Sequence, residues 1–424
     1  MGSKVFLKDL VDFQKGYVFK SKDFSTKGIP VIKVKSFSDD TVDMKSCDML
    51  PISFFEDYSK YRLEKGDILI ATVGSWPTNP NSVVGRVVRV PPVNKALLNQ
   101  NIVKIFSNKE KLDNTFLYYL LKTKDFKDYI ISTAQGSANQ ASITLEAIKN
   151  YEFVLPPTHL QRKIIEVLQP IDEKIKNNLK IIENLELISQ TLFKQWFIDF
   201  DFPNEQGHPY KSSGGKMVES ELGERPKGWD ISLLSEDVNF LSGGTPKTKE
   251  ESYWNGQIPF FTPKDVKNNL YTTITEKYIT ELGLSKCNSK LYPKNTLFIT
   301  ARGTVGKVAL ANIPMAMNQS CFALQHKEDY QFYLYGVVNH LVREIILGAN
   351  GAVFNAINLK DLNRLKYVKA PELLIKKYQE LVSNIYEKMS TLEEEILNLQ
   401  QLRDTLLPKL LTGEIQITDE LVVG

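Results

Sequence analysis

The sequence predicts an α+β protein made of two similar globular α/β domains, each followed by a long helix, with the two helices paired as an antiparallel coiled coil. Three observations lead to this prediction: an internal repeat, two heptad-spaced stripes of apolar residues, and a charged stretch rich in Gly, Pro and Ser between the copies. The predicted boundaries, in chain order, are first domain 1–155, first helix 156–198, linker 199–229, second domain 230–370, second helix 371–413 and tail 414–424.

The repeat is read by sliding the second half of the chain over the first. "KDLVDFQKG" (8–16) matches "EDVNFLSGG" (236–244), "KGDILIATVGS" (65–75) matches "KNTLFITARGT" (294–304), and "ITLEAIKNYEF" (143–153) matches "INLKDLNRLKY" (357–367). The order of the matches never changes, and the offset drifts only at loops. The chain therefore contains two copies of one domain.

The segment "TARGTVGKV" (300–308) resembles a phosphate-binding loop, but its spacing excludes one. Gly303 and Gly306 are only three residues apart, and Val308 stands where such a loop needs Ser or Thr. In the first copy the two glycine positions are separated by a longer loop, 75–84, which a phosphate cradle would not tolerate. We expect a hairpin tip between two strands instead, because the flanking segments are apolar and rich in β-formers.

Each copy ends in a helical pattern with an apolar stripe. In the first helix Thr158 and Gln161 predict a capping box, and Pro170 predicts a kink or an interruption. The predicted seam of the first helix is Ile164, Leu168, Ile171, Ile175, Ile182, Leu185, Leu192 and Trp196. The predicted seam of the second helix is Tyr378, Leu381, Ile385, Met389, Leu392, Ile396, Leu399, Leu402, Leu406 and Leu410. A helix of about 40 residues spans roughly 60 Å and needs a partner along so narrow a seam, and the other copy's helix is the expected one.

Composition excludes several classes of protein. A hydrophobic content of 42% is typical of a globular protein, and a net charge of +3 allows a nucleic-acid partner without requiring one. Cys47, Cys287 and Cys321 lie far apart, which fits a reducing compartment, and neither they nor the scattered histidines have metal-ligand spacing. With no apolar run near the ~18 residues of a membrane span and no signal peptide, a cytoplasmic location is expected.

No set of acids, bases or nucleophiles recurs in both copies, as a duplicated enzyme would require, so no catalytic, cofactor-binding or metal-binding residue is predicted. The copies share strands that end in polar loops of different sequence. Lys and Arg neutralise DNA phosphates, and Arg, Asn and Gln also read base edges. The candidate DNA contacts of the first copy are Lys33, Lys35, Ser36, Ser75, Trp76, Asn79, Asn81, Asn99, Gln100, Gln135, Ser137, Asn139 and Gln140. Those of the second copy are Thr245, Lys247, Lys249, Lys264, Asp265, Lys267, Arg302, Thr304, Lys307, Asn318, Gln319 and Asn350.

A series of segments covers nearly the whole chain in order: "LPPTHLQ" (155–161), "LFKQWFIDFDFP" (192–203), "GGKMVESELGERPKGW" (214–229), "GGTPKTKEESYWNGQIPFFTPKDV" (243–266), "TARGTVGKV", "MNQSCFAL" (317–324) and "LLPKLLTGEI" (406–415). In these the chain resembles the specificity subunit of a type I restriction-modification system. The resemblance implies two target-recognition domains, each reading one half of a split double-stranded DNA sequence. It also implies paired helices that act as a ruler and dock two methyltransferase subunits, with restriction (translocase) subunits as further partners.

The same resemblance implies a non-catalytic chain without a cofactor of its own, with S-adenosylmethionine, ATP and Mg on the partner subunits. The chain departs from the family pattern at Ile375, which matches Gln161, and in copy one, which lacks the "PKGW" lead-in. Two other hypotheses stay open at this point. One is a protein-binding scaffold built on the coiled coil, whose DNA binding would depend little on salt. The other is an enzyme with an unrecognised polar site inside one domain.

Overall fold

The computed structural model describes residues 3–38, 40–76, 79, 82–108, 110–137, 140–267, 269–347 and 356–417, and only the backbone of 344–347. The chain forms two compact units, Met1–Glu173 with Leu399–Gly424, and Lys174–Asn398. Each unit contains one globular domain and a part of both long helices. Within the described ranges, no helix is both long and apolar enough to cross a membrane.

The first copy is a small mixed α/β domain. Its strands are β1 Ser3–Phe6, β2 Val11–Lys15, β3 Ile29–Ile32, β4 Phe37–Ser38, β5 Thr41–Val42, β6 Asp48–Leu50, β7 Ile68–Ala71, β8 Val73–Gly74, β9 Val87–Arg89, β10 Leu97–Leu98, β11 Ile102–Ser107, β12 Gln135–Ser137, β13 Gln140–Ser142 and β14 Glu152–Leu155. Its helices are α1 Phe54–Asp57, α2 Asn114–Lys122, α3 Lys124–Ser132, α4 Leu145–Lys149 and the long α5 Thr158–Phe197. The strands pair in the orders β2-β11-β7-β9-β5-β4, β10-β3-β6, β12-β13-β8 and β1-β14.

The second copy follows two short linker strands, β15 Met217–Val218 and β16 Arg225–Pro226. Its strands are β17 Asp230–Leu233, β18 Val238–Ser242, β19 Trp254–Phe261, β20 Tyr271–Thr272, β21 Lys277–Ile279, β22 Leu297–Thr300, β23 Val308–Ala311, β24 Ala316–Met317, β25 Cys321–His326 and β26 Lys366–Lys369. Its helices are α6 Leu234–Asp237, α7 Glu281–Ser285, α8 Gln331–Leu347, α9 Leu359–Asn363 and the long α10 Glu372–Thr412. The strands pair in the orders β18-β25-β22-β23-β20, β21-β19-β24 and β17-β26.

The two copies have the same pairing scheme. β11 lies between β2 and β7 as β25 lies between β18 and β22, and β3 lies between β10 and β6 as β19 lies between β24 and β21. The predicted hairpins also form, since β7 pairs antiparallel with β9 and β22 with β23. Both β7 and β22 are buried along their whole length, which explains their continuous apolar sequences "ILIA" and "LFIT". The predicted duplication and α+β fold class are confirmed.

The long helices pair antiparallel inside each unit. In the second unit Asn178 of α5 donates to Glu395 of α10 at 2.9 Å, and further along α5 the ring of Trp196 lies 5.7 Å from that of Tyr378. Residue numbers thus increase along α5 in the direction in which they decrease along α10, so the helices are antiparallel. In the first unit Arg403 of α10 reaches Asp172 of α5 at 2.9 Å in the same sense. The predicted antiparallel pairing is confirmed.

The buried stripes of the two helices agree only in part with the predicted seams. The predicted positions that are buried are Ile164, Leu168, Ile175, Ile182 and Trp196 on α5, and Tyr378, Met389, Leu392, Ile396 and Leu410 on α10. One buried row on each helix has a seven-residue step, with Gln161, Leu168, Ile175, Ile182, Ser189 and Trp196 on α5, and Ile375, Val382, Met389, Ile396, Arg403 and Leu410 on α10. Leu381 and Leu402 were expected in the seam but are 49% and 47% exposed, because the residues that follow them, Val382 and Arg403, occupy the seam. Apolar spacing alone cannot find seam positions held by Gln, Ser or Arg.

Two local features of α5 differ from expectation. Pro170 does not interrupt the helix, which runs on to Phe197 with this proline on its exposed side, and a kink at Pro170 stays a prediction. Gln161 does not serve a capping box, because its side chain is used outside the helix. Its amide nitrogen donates to the carbonyls of Lys111 and Pro156 at 2.8 Å, and its oxygen accepts from the backbone of Asp113 at 3.0 Å. Gln161 therefore fastens the start of α5 to the loop before α2.

The segment predicted as a linker is folded. Strands β15 and β16 form a hairpin, and Trp229, which is buried, packs against an aromatic cluster. Its ring lies 5.5 Å from Phe200, 5.0 Å from Phe202 and 6.1 Å from Phe197 at the end of α5. Burial of these aromatic rings orders the stretch despite its polar composition.

Candidate nucleic-acid interface

In the second domain several candidate loops meet at one edge. The turn after β19, the tip of the β22–β23 hairpin and the loop after β24 line a cleft of about 360 Å³ whose walls include Lys264, Arg302 and Asn318. Backbone hydrogen bonds fix the loop after β24, since Asn318 N–H donates to the Phe261 carbonyl at 2.9 Å and Ala301 N–H to the Ser320 carbonyl at 2.8 Å. These bonds join residues far apart in the chain, so the loops form one surface.

A glycine in each copy lets the backbone approach this surface closely. A Cβ at Gly243 would lie 2.2 Å from the Asn318 carbonyl oxygen, and a Cβ at Gly16 would lie 1.8 Å from that of Asn99. Only glycine fits these two positions without movement of the backbone. In both copies this glycine therefore allows the loop with the Asn-Gln pair to pack against the backbone of the glycine's own segment. In the second copy a hydrogen bond between Thr245 and Gln319 joins the same two segments.

The tip of the β22–β23 hairpin presents three candidates to solvent. Gly303 and Gly306 have φ of 83° and 80°, the left-handed region that favours glycine, so the turn is tight. The side chain of Thr300 accepts from Lys307 N–H at 3.0 Å and closes the tip from inside. Arg302, Thr304 and Lys307 are exposed around it. The glycines that suggested a phosphate loop therefore shape a projecting turn.

The cleft of the second domain is basic. Lys264, Lys277 and Arg302 line it together with a single carboxylate, Glu276. That carboxylate lies 3.8 Å from Lys264, in an ion pair that is mostly solvent-exposed and therefore weak. Three cations against one anion leave a positive cleft, of the sign that attracts DNA phosphates.

In the first domain the matching turn carries its own ion pairs. Lys33 and Lys35 each lie 2.7 Å from an oxygen of Asp48, and hydrogen bonds from both lysines hold the pKa of Asp48 below its ordinary value. Lys33 also lies over the ring of Phe24, 3.8 Å from its centre. One carboxylate shared by two lysines leaves a net positive charge at a defined position.

A second group of candidates in the first domain is brought together by a three-stranded sheet. β8 pairs with β13, and β13 pairs with β12, so Ser75 and Trp76, which follow β8, lie close to these two strands. The indole N–H of Trp76 donates to the carbonyl of Ser137 at 2.6 Å, and the Ser82 hydroxyl donates to the carbonyl of Ser75 at 2.5 Å. Trp76 therefore joins two loops that are distant in sequence.

The structure sorts the candidates by exposure. Those that are exposed are Lys35, Asn79, Gln100, Gln135, Ser137, Gln140, Lys247, Lys249, Lys264, Lys267, Arg302, Thr304, Lys307 and Gln319. Those that are half-buried are Lys33, Ser75, Trp76, Thr245 and Asn318. Asn81, Asn139 and Asn350 lie outside the described residues. DNA contact by the accessible candidates stays a prediction.

Three candidates, Ser36, Asn99 and Asp265, are buried, and the structure gives each an internal role in place of direct contact. The amide of Asn99 donates to the carbonyl of Tyr17 at 3.3 Å. Asp265 accepts from the backbone of Thr262 and of Glu276, both at 2.7 Å. Ser36 accepts Asp43 N–H on its carbonyl at 2.8 Å. These residues shape the turns that carry the exposed candidates.

Two cations, one at the loop edge of each domain, were missed from the sequence. Lys277 lies in the cleft with Arg302 and contacts the ring of Trp254, 5.5 Å from its centre. Arg86 matches Lys307 in the repeat and donates to the Ser82 carbonyl at 3.3 Å. The repeat alignment contained a signal for Arg86, whereas no local pattern marks Lys277. Among the described residues, no group of three His, Cys, Asp or Glu side chains could hold a metal ion.

Comparison with known proteins gives a consistent result. The model of the type I restriction modification DNA specificity domain matches residues 3–187 and 226–405. The chain is 29% identical over 317 residues to the Type I restriction enzyme MjaIX specificity subunit of Methanocaldococcus jannaschii, covering 73% of this chain and 71% of that protein. It is 23% identical over 423 residues to the HindI specificity subunit of Haemophilus influenzae, covering 87% and 91%.

A solved structure of a type I restriction-modification system S subunit from M. genitalium shares the fold, with a TM-score of 0.53 at 19% identity, covering 98% of this chain and 96% of that one. The family match extends over both copies of the repeat, with most of both long helices included. The chain therefore belongs to the type I restriction modification DNA specificity domain family.

Proposed function

We propose that this chain is the non-catalytic DNA sequence-specificity subunit of a type I restriction-modification complex. Each domain reads one half of a bipartite double-stranded sequence with its loop edge, and the long helices set the separation of the halves. The helices dock two methyltransferase subunits, and restriction subunits join that assembly. S-adenosylmethionine, ATP and Mg belong to those partners, and the complex works in the cytoplasm.

The observation that carries the proposal is the match of one DNA-specificity family to both copies of a repeat whose loop edges differ in chemistry. The strands and their pairing agree between the copies, whereas the edges do not. The second domain offers a basic cleft with Arg302, and the first offers the Trp76 loop and the lysine pair on Asp48. Two domains with the same strand pairing and different loop edges are suited to reading two different half-sites.

The experiment is a selection from randomised duplex DNA with the full chain, co-purified with its methyltransferase subunit. The proposal predicts two short fixed blocks around an unread gap of constant length, as expected for two readers on a stiff spacer. Arg302→Ala should alter one block alone. Lys360→Ala, which removes an exposed lysine of α9 that is not among the residues lining the cleft, is the matched control and should leave both blocks unchanged.

Salt dependence separates this function from a protein-binding scaffold. A specific DNA complex that neutralises several phosphates loses affinity steeply as salt rises, with a slope of about −0.9 per phosphate contact on logarithmic axes. A soluble complex that enriches no sequence at low salt, or whose DNA affinity is insensitive to salt, would refute the proposal in favour of the scaffold.

A further inference from the structure

Arg403 is a charged residue in the buried ladder of α10, where its neighbours one heptad away are Ile396 and Leu410. Only 10% of its side chain is exposed, and its guanidinium lies 2.6 Å from Asp40, 2.9 Å from Asp172 and 3.0 Å from Asp404. A buried guanidinium is tolerated only when its partners compensate for the lost hydration. Three carboxylates therefore compensate the buried charge at this seam position.

The partners of Arg403 belong to different elements of the first unit. Asp40 lies in the turn between β4 and β5 of the first domain, and Asp172 lies on α5. Lys122 also pairs with Asp40, and the Tyr119 hydroxyl donates to Asp172 at 2.8 Å. Burial alone would raise the pKa of Asp40, but Lys122 and Arg403 outweigh it and hold that pKa below its ordinary value. Asp40 therefore stays charged at neutral pH.

The turn that holds Asp40 is linked directly to a candidate DNA-reading segment. β4 follows the one-turn helix Val34–Ser36, which places Lys35 at the start of the same hairpin. Beyond the turn, Asp43 N–H donates to the Ser36 carbonyl at 2.8 Å, and Arg89 N–H donates to the Asp40 carbonyl at 3.1 Å. A displacement of the turn therefore moves the segment that carries Lys35.

The second unit fastens its domain by different chemistry. The repeat places Ser189 where α10 has Arg403, and the backbone carbonyl of Ser189 accepts from the Tyr378 hydroxyl at 3.3 Å. Phe332 stacks on Tyr386 with 4.2 Å between ring centres. Aromatic packing and neutral hydrogen bonds, such as that from the Ser390 hydroxyl to Asn312 at 2.5 Å, thus join the second domain to α10, whereas the first domain adds the Arg403 ion network to its apolar packing on that helix.

We propose that Arg403 is the positioning residue of the first domain. It fixes the β4–β5 hairpin to both long helices and so sets the gap between half-sites that the protein accepts. The inference rests on the proposed function for its consequence on DNA. The attachment itself is a property of the first unit alone.

The first test measures affinity for duplexes that carry the two wild-type half-sites with the preferred gap, or with gaps one base pair shorter or longer. Arg403→Met keeps the apolar stem and removes the charge. It should reduce the preference for the wild-type gap by roughly fivefold, the size expected for coupling within one network, and leave the base preferences of both half-sites unchanged. Ser189→Ala, at the matching position of α5, should keep the wild-type gap preference.

A double variant separates positioning from folding. Arg403→Met combined with Asp172→Asn removes the buried carboxylate that loses its cation, while Asp40 keeps its ion pair with Lys122, so its melting temperature should exceed that of Arg403→Met alone. Its preference for the wild-type gap should stay as weak as that of Arg403→Met, because the guanidinium that joins the hairpin to both helices is still absent. A folded Arg403→Met protein with the wild-type gap preference, or an equal loss of affinity at every gap, would overturn the inference.

The second test needs no DNA. Spin labels at Lys22→Cys in the first domain and Gln169→Cys on α5, both exposed positions, in a Cys287→Ser background, report the distance distribution in the full chain. Arg403→Met should broaden that distribution, and an unchanged distribution would refute the attachment by Arg403. If the wild-type chain selects no split sequence, but Arg403→Met still broadens the distance distribution, the proposed function is refuted and the attachment of the first domain by Arg403 is supported.

Discussion

Glu393 of α10 should make the second unit less stable as pH rises, and Glu393→Gln should remove that dependence. The carboxyl is 6% exposed. One oxygen accepts from Asn269 at 3.2 Å, and the other has no hydrogen-bond partner among the described residues. Burial raises the pKa of Glu393 from 4.5 to about 7. The folded state therefore holds the proton more tightly than the unfolded chain does.

The sign and the size follow from linkage. Because the folded pKa lies above the unfolded one, the stabilisation is fully present below pH 4.5 and is lost as pH rises through about 7. At about 1.4 kcal/mol per pKa unit, the loss amounts to about 3 kcal/mol across this window. Glutamine imitates the protonated acid, so Glu393→Gln should stabilise the second unit by up to about 3 kcal/mol at high pH and change little at low pH.

Hydrogen exchange of backbone amides in the middle of α10, measured by mass spectrometry from about pH 4 to about pH 8 and corrected for intrinsic rates, gives the local opening free energy. This local reading avoids the assumption of two-state unfolding for a chain of two units. Glu394→Gln, at an exposed neighbour on the same helix, is the control and should leave the profile of the wild type unchanged. Equal effects of Glu393→Gln at both ends of the pH range would refute the assigned burial.

Three further predictions concern the loop edges. Arg302→Ala should cost about 1–3 kcal/mol of DNA affinity and relax one base if the guanidinium reads guanine; a uniform loss across sequences, measured by competition binding, would make it a phosphate contact. Trp76→Phe keeps an aromatic ring and loses the hydrogen bond to Ser137, so it should relax the half-site read by the first domain and spare the other; an unchanged selection profile would contradict the joining role. Gly243→Ala places a Cβ against the Asn318 carbonyl and should destabilise the protein by about 1–3 kcal/mol in thermal unfolding; a wild-type melting temperature would show that the loop can move at little cost.

Local patterns carried much of the fold. The long helices, predicted at 156–198 and 371–413, run from Thr158 to Phe197 and from Glu372 to Thr412. Short apolar runs rich in β-formers located the paired strands β7 and β9, and β22 and β23. Both kinds of signal lie within a short window of sequence, so they can be recognised without knowledge of distant contacts. The internal repeat also predicted that the two halves of the chain have the same domain fold.

Only part of the candidate site could be predicted from the sequence. The sequence marked polar loops between strands, and most of the accessible candidates lie on them. Residue type gave no means of separating Asn99, which is buried under its own loop, from Gln100, which is exposed beside it. Lys277 joined the edge only through the fold, because β21 carries it to the cleft from a segment without a loop signature.

The sequence by itself determined the duplication, the fold class, the two long helices and the polar loops that differ between the copies. Tertiary structure alone decided which seam positions are polar, that the linker packs on Trp229, and that the first domain is held by Arg403 from the helix of the other copy. The physical reason is range. Periodicity and turn chemistry act between near neighbours in the chain, whereas Arg403 and Asp40 meet only after the chain has folded back on itself.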